Sequence, residues 1–455
     1  MRRNLAALLL MAYAPVFGQE GQLQSNFRRE ANEIKKNCPK TFGCLETMFT
    51  GEPMKIAVGS IAPGNGVGFG PAFVYDKNFT RVRLNTNADA VATMNGSWRA
   101  GVYLKAILTP NDKIGITTKR PKPGAAPQIE SLPVPEFNFY AQATSLNKLS
   151  YYGEGPFSSR QSLAFYGMTE TVTGANVIYP IFGNSGVSLF GELNGRFLSL
   201  RGRHGDKSPS IEQLYTEVSA PGLLRQPGYL QAGEGIRFDR GFAGARLNLQ
   251  YRLTFQEFVA GSGPYSFRRL NIDALHEFPL YRNQRRLVTS GSDAVGPDQS
   301  PDRLKTARYN TRNLEGSVTL RALLTESYIP KGNVVPFYYQ PTLGGTDING
   351  AHALPSYPDY RFRAPNVLLF RGTFEHSIWG PLGGLFTADY GRVALTHGDL
   401  AFNHFRHSYG VGVTIRAGGL PAVSLVFAFG GKEGTHTIAD ISPALLGSTA
   451  RPSLY

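Results

Sequence analysis

The chain has 455 residues, with 47 Lys and Arg against 33 Asp and Glu, for a formal charge of +14. Charged residues are only 18% of it and aromatic residues 12%, with 52 Gly but 2 Cys. These values exclude wholesale disorder, a disulfide-built scaffold and a four-cysteine zinc module, and the Gly- and aromatic-rich composition points to an all-β chain.

Residues 1–18 read as a secretory signal peptide. Arg2 and Arg3 precede an apolar stretch from Leu5 to Phe17, and Val16-Phe17-Gly18 offers a small-residue cleavage site. The thirteen residues of that stretch fall short of the roughly 20 a membrane helix needs. The expected mature chain starts at Gln19, followed by a short N-terminal segment, 19–53, ahead of the first strand. Residues 26–37 carry Phe27, Ala31 and Ile34 at helical spacing. Export means an oxidising compartment, so Cys38 and Cys44 are expected to pair across the Pro39/Gly43 loop. A metal pair is the competing reading, and no His lies near them in sequence. Cleavage removes two arginines and no acid, leaving +12. A strongly basic chain usually suggests nucleic acid, but export and the singly scattered basic residues argue against that partner.

From about residue 54 the hydrophobic period is two. Ala245, Leu247, Leu249, Tyr251, Leu253 and Phe255 alternate with Arg246, Asn248, Gln250, Arg252, Thr254 and Gln256, a pattern that only a strand sorts onto two faces. Trp98 to Leu108, Leu314 to Leu324, Leu368 to Ile378 and Val411 to Ile415 repeat it. The expected strands are 54–62, 67–76, 91–108, 134–148, 161–180, 187–201, 228–239, 243–257, 265–280, 312–328, 333–341, 364–379, 384–396, 406–417, 421–430 and 435–447. Many exceed the usual strand length of about 5–6 residues and suit tilted membrane-spanning strands of about 9–11 plus rims. The resulting expectation is a transmembrane antiparallel β-barrel of about 16 strands over 54–447 with a C-terminal tail, 448–455. Closure satisfies every backbone group in lipid. Tyr75, Trp98, Tyr179, Tyr328, Trp379 and Tyr390 fall near segment ends, as interfacial girdles require. Long loops are expected at 109–133, 202–227, 281–311 and 342–363. Counted from the C-terminus, 281–311 and 342–363 lie outside the cell and 202–227 inside, where turns should be short; this conflict points to a merged or missed strand.

The basic residues fall on the polar phase. Arg99, Lys105, Arg196, Arg246, Arg252, Arg321, Arg371 and Arg416 are therefore expected to face the lumen, since each would cost roughly 2–4 kcal/mol at the midplane of the lipid face. Glu192, Glu315 and Glu375 are candidate partners that would neutralise some of them.

The stretch 343–394 carries Gly344-Gly345, the patch Tyr360-Arg361-Phe362-Arg363, a strand ending at Trp379-Gly380-Pro381-Leu382, and Phe386-Thr387-Ala388-Asp389-Tyr390-Gly391. GSIAPGNGVGFGPAFVY at 59–75 and SLNKLSYYGEGP at 145–156 accompany it. In this order of motifs the chain resembles the BamA/TamA-type outer-membrane assembly proteins, the bacterial surface antigen family. The resemblance implies a sixteen-strand barrel, both termini periplasmic, that handles client proteins. Two departures stand out. The family's aliphatic-Arg-Gly-aromatic loop motif falls here on Leu354, Pro355, Ser356 and Tyr357, without its arginine. The 35 residues of 19–53 are too few for one of the family's periplasmic POTRA repeats. In the family the loop folds into the barrel and its arginine meets the acid of the Phe-x-x-Asp-x-Gly motif. Here Asp389 keeps the acid, and Arg361 or Arg363, with Arg361 preferred, is expected to take over that contact; the alternative is a strand arginine, Arg371 or Arg392.

No catalytic motif is present: there is no G-x-S-x-G, H-E-x-x-H or phosphate loop. His397, His404 and His407 cluster in sequence, but an H-x-x-H spacing on a strand points its rings to opposite faces. The sequence thus suggests a monomeric outer-membrane barrel, not an enzyme and without a cofactor, whose partners are lipid and either client proteins or small solutes. Inserting or exporting a client needs an openable seam between first and last strands; the alternative function, a passive pore, needs a clear bore.

Overall fold

The structure is a computed structural model that describes residues 53–108, 134–242, 246–289, 306–417, 420–431, 433–441 and 452. The leader, Cys38 and Cys44, and the 109–133 connection lie outside the described residues.

Among the described residues eighteen strands occur in chain order. They are β1 (Met54–Ser60), β2 (Val67–Asn78), β3 (Val82–Thr93), β4 (Trp98–Leu108), β5 (Glu136–Tyr151), β6 (Ala164–Pro180), β7 (Val187–Gly202), β8 (Tyr229–Phe242) and β9 (Leu247–Ala260). Then follow β10 (Phe267–Thr289), β11 (Thr306–Tyr328), β12 (Thr342–Leu343), β13 (Phe362–Arg363), β14 (Asn366–Trp379), β15 (Leu382–Ala394), β16 (Arg406–Ala417), β17 (Leu420–Gly431) and β18 (Gly434–Ile441). The short pair β12–β13 stands apart, and the other sixteen form one antiparallel sheet in strict sequence order. The only helical turn longer than 3-10 among the described residues, α1 (Ile211–Leu214), is capped by Ser210 and Gln213.

The sheet is apolar outside and polar inside, the reverse of a soluble core. On β16, Val411, Val413 and Ile415 are exposed while Ser408, Thr414 and Arg416 are buried. On β15, Leu382, Phe386 and Tyr390 are exposed and Thr387 and Asp389 buried. On β9, Leu253, Phe255 and Val259 point out, whereas Arg252, Thr254 and Gln256 line an interior cleft. This segregation is what lipid outside and water inside require of a barrel wall.

Two expected strands are corrected, and the errors cancel in the count. The segment 91–108 is two strands, because Asn95-Gly96 turns the chain between β3 and β4, with Gly96 at φ +80° and Thr93 N–H bonded to Ser97 O at 2.8 Å. The segment 333–341 is not a wall strand. It enters the bore, where Phe337–Tyr339 form a 3-10 turn that is wholly buried. An apolar run buried on every side carries no period, so it looks like a strand in sequence.

These corrections resolve the loop conflict. The β7–β8 and β11–β14 connections leave from the same end of the sheet, opposite the end that holds the start of β1 and the close of β18. The β10–β11 connection belongs to the terminal end, not to the far end as expected.

Candidate functional site

The long β11–β14 connection folds back into the bore, as an inner loop. Gly344 and Gly345 turn it, at φ +109° and +59°, and a Cβ at Gly345 would stand 2.3 Å from Asp359 Oδ1. The loop then lies buried almost throughout from Val335 to Ala364. Tyr339 packs against Tyr229, Phe258 and Phe267 of the wall, with ring centroids 5.1, 5.6 and 6.4 Å away. Phe337 meets Tyr151 and Tyr166 at 4.9 and 5.2 Å. Backbone carbonyls of this turn accept from wall and loop arginines: Arg269 donates to Tyr339 O and Arg363 to Phe337 O. Tyr339 Oη donates to Glu170 Oε1 at 3.3 Å, and Glu170 pairs with Arg196 at 2.9 Å.

A second loop contact titrates near neutrality. Gln340 Nε2 donates to Glu154 on the β5–β6 connection, and burial pushes the Glu154 carboxyl up to about 7 against the pull of Gln340 and Arg363. Unfolded, Glu154 ionises near its ordinary value, so the folded chain holds the proton longer and loses stability as pH rises through about 7. The full loss builds up between the unfolded and folded values and, complete above about 7, is on the order of 3 kcal/mol. Glu154→Gln should flatten the fall in unfolding midpoint between pH 5 and pH 8; an unchanged slope would exclude Glu154 as its source.

The lumenal arginines have carboxylate partners in most cases. Arg99 lies 3.6 Å from Asp89, Lys105 2.7 Å from Glu136, Arg321 2.7 Å from Asp273 and Arg416 3.1 Å from Glu375. Arg252 lines the interior opposite Arg237 in the β8–β9 register. Arg246 differs from expectation: it precedes β9, is exposed, and its N–H bonds Phe242 O at 3.1 Å in a turn. Among the expected carboxylate partners, Glu192 accepts from Gln231 and Gln256 at 3.0 and 2.7 Å.

The expected Arg361–Asp389 contact is corrected. Asp389, fully buried, takes Arg371 side-on at 2.8 and 2.7 Å, because the β14–β15 register sets these two residues directly opposite. It still holds the inner loop, but through backbone: Leu354 N–H donates to Asp389 Oδ2 at 2.8 Å. Arg363 goes to Phe337 O and the Tyr166 hydroxyl. Arg361 reaches Glu433 in the β17–β18 turn, with Nε and Nη2 each 2.7 Å from a carboxylate oxygen, and Ser158 Oγ at 2.9 Å.

The edges complete the site. No backbone pairing joins β1 to β18 among the described residues, so the sheet stays open between its first and last strands. A cavity of about 1230 Å³ lies inside this seam, bounded by Ala57 to Ser60 of β1, His436 to Ala439 of β18 and the inner loop from Gly345 to Asp359. Burial raises the Asp359 carboxyl, against the Thr346 N–H and the nearby His352 and His436. Of the sequence-clustered histidines, His397 lies against Tyr328 and His407 near Tyr390. No group of three or more His, Cys, Asp or Glu among the described residues is placed to hold a metal. Glu170, Tyr339, Glu433 and Ser158 were not singled out by sequence. Only the aromatic run Tyr338-Tyr339 between Pro336 and Pro341 carries a signal, and it has the look of a strand.

The sequence matches no family model, and no curated protein is similar to it. Solved structures are similar in fold. BamA from Haemophilus ducreyi lacking POTRA domains 1–3 shares 11% identity at a TM-score of 0.48, covering 85% of this chain and 70% of that one. CdiB from Escherichia coli shares 10% at 0.48, covering 85% and 61%, and CdiB from Acinetobacter baumannii 11% at 0.43, covering 84% and 57%. The chain therefore spans less than two thirds of either CdiB chain.

Proposed function

We propose that the chain is a monomeric outer-membrane barrel that inserts or exports client polypeptide through the seam between β1 and β18, with its termini in the periplasm. The observation that carries this reading is that β1 and β18 do not pair with each other among the described residues and together bound a large interior cavity. A free edge offers a row of backbone donors and acceptors, and an extended client satisfies them by adding strands. The passive-pore alternative is disfavoured by the inner loop, whose aromatic residues fill the bore on the side away from the termini.

The test uses Ala57→Cys and Ile438→Cys, with Cys38 and Cys44 replaced by Ser, joined by a bis-maleimide in proteoliposomes. Insertion of an unfolded eight-stranded barrel protein should fall at least tenfold on cross-linking, while the reduced double variant keeps its rate. Insertion at an undiminished rate across the locked seam would overturn the reading. Planar-bilayer recording should show near-silence; steady large openings would return the pore.

A further inference from the structure

We infer that Tyr360 and Arg361 form a clasp across the mouth of the seam, and that its Arg361–Glu433 half is the one that releases, freeing the β17–β18 hairpin while β1 stays put. The two residues are adjacent in the inner loop, yet they reach opposite sides of the opening. Tyr360 Oη donates to Pro63 O in the β1–β2 turn at 3.4 Å. Arg361 binds Glu433 in the β17–β18 turn through two 2.7 Å contacts. Both clasp residues are 2% exposed, while the Glu433 side chain is 18% exposed, so water reaches the pair from the β17–β18 side.

The loop holds the clasp in a defined backbone shape. Tyr360 sits at φ +61°, a conformation that a bulky side chain rarely adopts and that persists only where surroundings enforce it. The enforcing contact is Tyr360 N–H to Gly344 O at 3.1 Å, and a Cβ on Gly344 would come within 2.6 Å of Arg361 Cβ.

The asymmetry follows from what else each side touches. The β1–β2 turn is nailed to the wall by Asn65, which is fully buried. Its Oδ1 accepts from Ser97 Oγ at 2.8 Å and from the Asn147 and Lys148 N–H groups at 3.0 Å, and its Nδ2 donates to Lys148 O at 2.8 Å. β18, by contrast, pairs among the described residues only with β17, over a register broken between Ala428 and Gly431, and apart from Arg361 its turn is held by a single donor, Arg160, on the Glu433 carbonyl. Arg361 also keeps its own seat when Glu433 leaves: Ser158 O accepts from it at 2.6 Å, and the Tyr152 and Phe362 rings lie 5.0 and 4.6 Å from its guanidinium. Loss of the ion pair therefore loosens the last hairpin and not the loop or the first strand.

This inference rests on the seam reading for its purpose, but its test reads distance and not client insertion. Spin labels go on three outward positions, Val58, Thr437 and Ile236 on the far wall, pairwise, in a Cys38→Ser, Cys44→Ser background in nanodiscs. With Glu433→Gln, the Val58–Thr437 and Thr437–Ile236 distributions should broaden and lengthen by about 5 Å, one strand spacing, while Val58–Ile236 stays as in the parent. Unchanged Val58–Thr437 distances, or movement of the Val58–Ile236 pair instead, would overturn the clasp. Should Glu433→Gln fail to show the folded band in an unheated gel, Arg361→Lys is read the same way. It keeps the charge with fewer contacts and should give a smaller broadening of the same two pairs; no broadening there also overturns it. A barrel that inserts its client yet shows no such shift would leave the seam reading standing and the clasp refuted.

Discussion

Glu170→Ala is expected to destabilise the barrel by about 3–5 kcal/mol, the range found when one partner of a buried ion pair is removed. Glu170 and Arg196 stand on neighbouring strands with side chains 0% and 2% exposed, 2.9 Å apart, and Arg196 Nε also donates to Gln231. Removing the carboxylate leaves a guanidinium inside without its counter-charge. It also takes the acceptor from Tyr339 Oη, the residue that seats the inner loop against Tyr229 and Phe258. Both the wall and the bore are therefore affected. The pair itself need not be a net gain, because desolvating two charges offsets most of their attraction. The double variant Glu170→Leu, Arg196→Met should thus lie far closer to the parent than either charge deletion alone. Equilibrium unfolding in detergent micelles reads all three. A loss below about 1 kcal/mol for Glu170→Ala would mean that water reaches the pair.

What could be read from sequence divides along the range of the interaction. Strand faces were legible because the period is two and the contrast between lipid and lumen is steep: Val411, Val413 and Ile415 against Ser408, Thr414 and Arg416 leave one solution. The β3–β4 turn was also legible in principle, since Asn95-Gly96 is a strong hairpin signal inside an apolar alternation that ran past it. The partner of Asp389 was not within reach of the hairpin alone. The Gly380-Pro381 turn sets Trp379 opposite Leu382, and counting back from it puts Tyr390 opposite Arg371; a bulge between Ser377 and Trp379 shifts the register by one and brings Asp389 there. The contact that Arg361 does make could not be found this way, because Glu433 lies 72 residues on and no turn links their registers. The same holds for Tyr339 and Glu170, which meet across the bore after 169 residues. Alternation tells which side chains point inward; it is silent on which of them touch across a lumen.

Asp389→Ala should release the inner loop at Leu354, and its energetic coupling should be with Arg371 and not with Arg361. Asp389 is fully buried, accepts two contacts from Arg371 and one from the Leu354 N–H, and so carries both a charge and a backbone anchor. Leu354 itself sits at φ +50°, a strained backbone for a branched side chain, and the bond to Asp389 helps hold it there. Alanine removes both functions and should cost about 2–4 kcal/mol: a shielded guanidinium loses its partner and a buried N–H its acceptor. Asp389→Asn separates the two, since an amide oxygen still accepts from Leu354 while the charge is gone. It should destabilise the wall yet leave the loop protected from protease in intact cells. In double-variant cycles, Asp389→Ala with Arg371→Ala should show a coupling of about 1–3 kcal/mol, the range for a charge-assisted contact. With Arg361→Ala the losses should add, because Arg361 shares no partner with Asp389: its carboxylate is Glu433, in the β17–β18 turn. Strong coupling between Arg361 and Asp389, or loop exposure in Asp389→Asn equal to that in Asp389→Ala, would contradict this assignment of contacts.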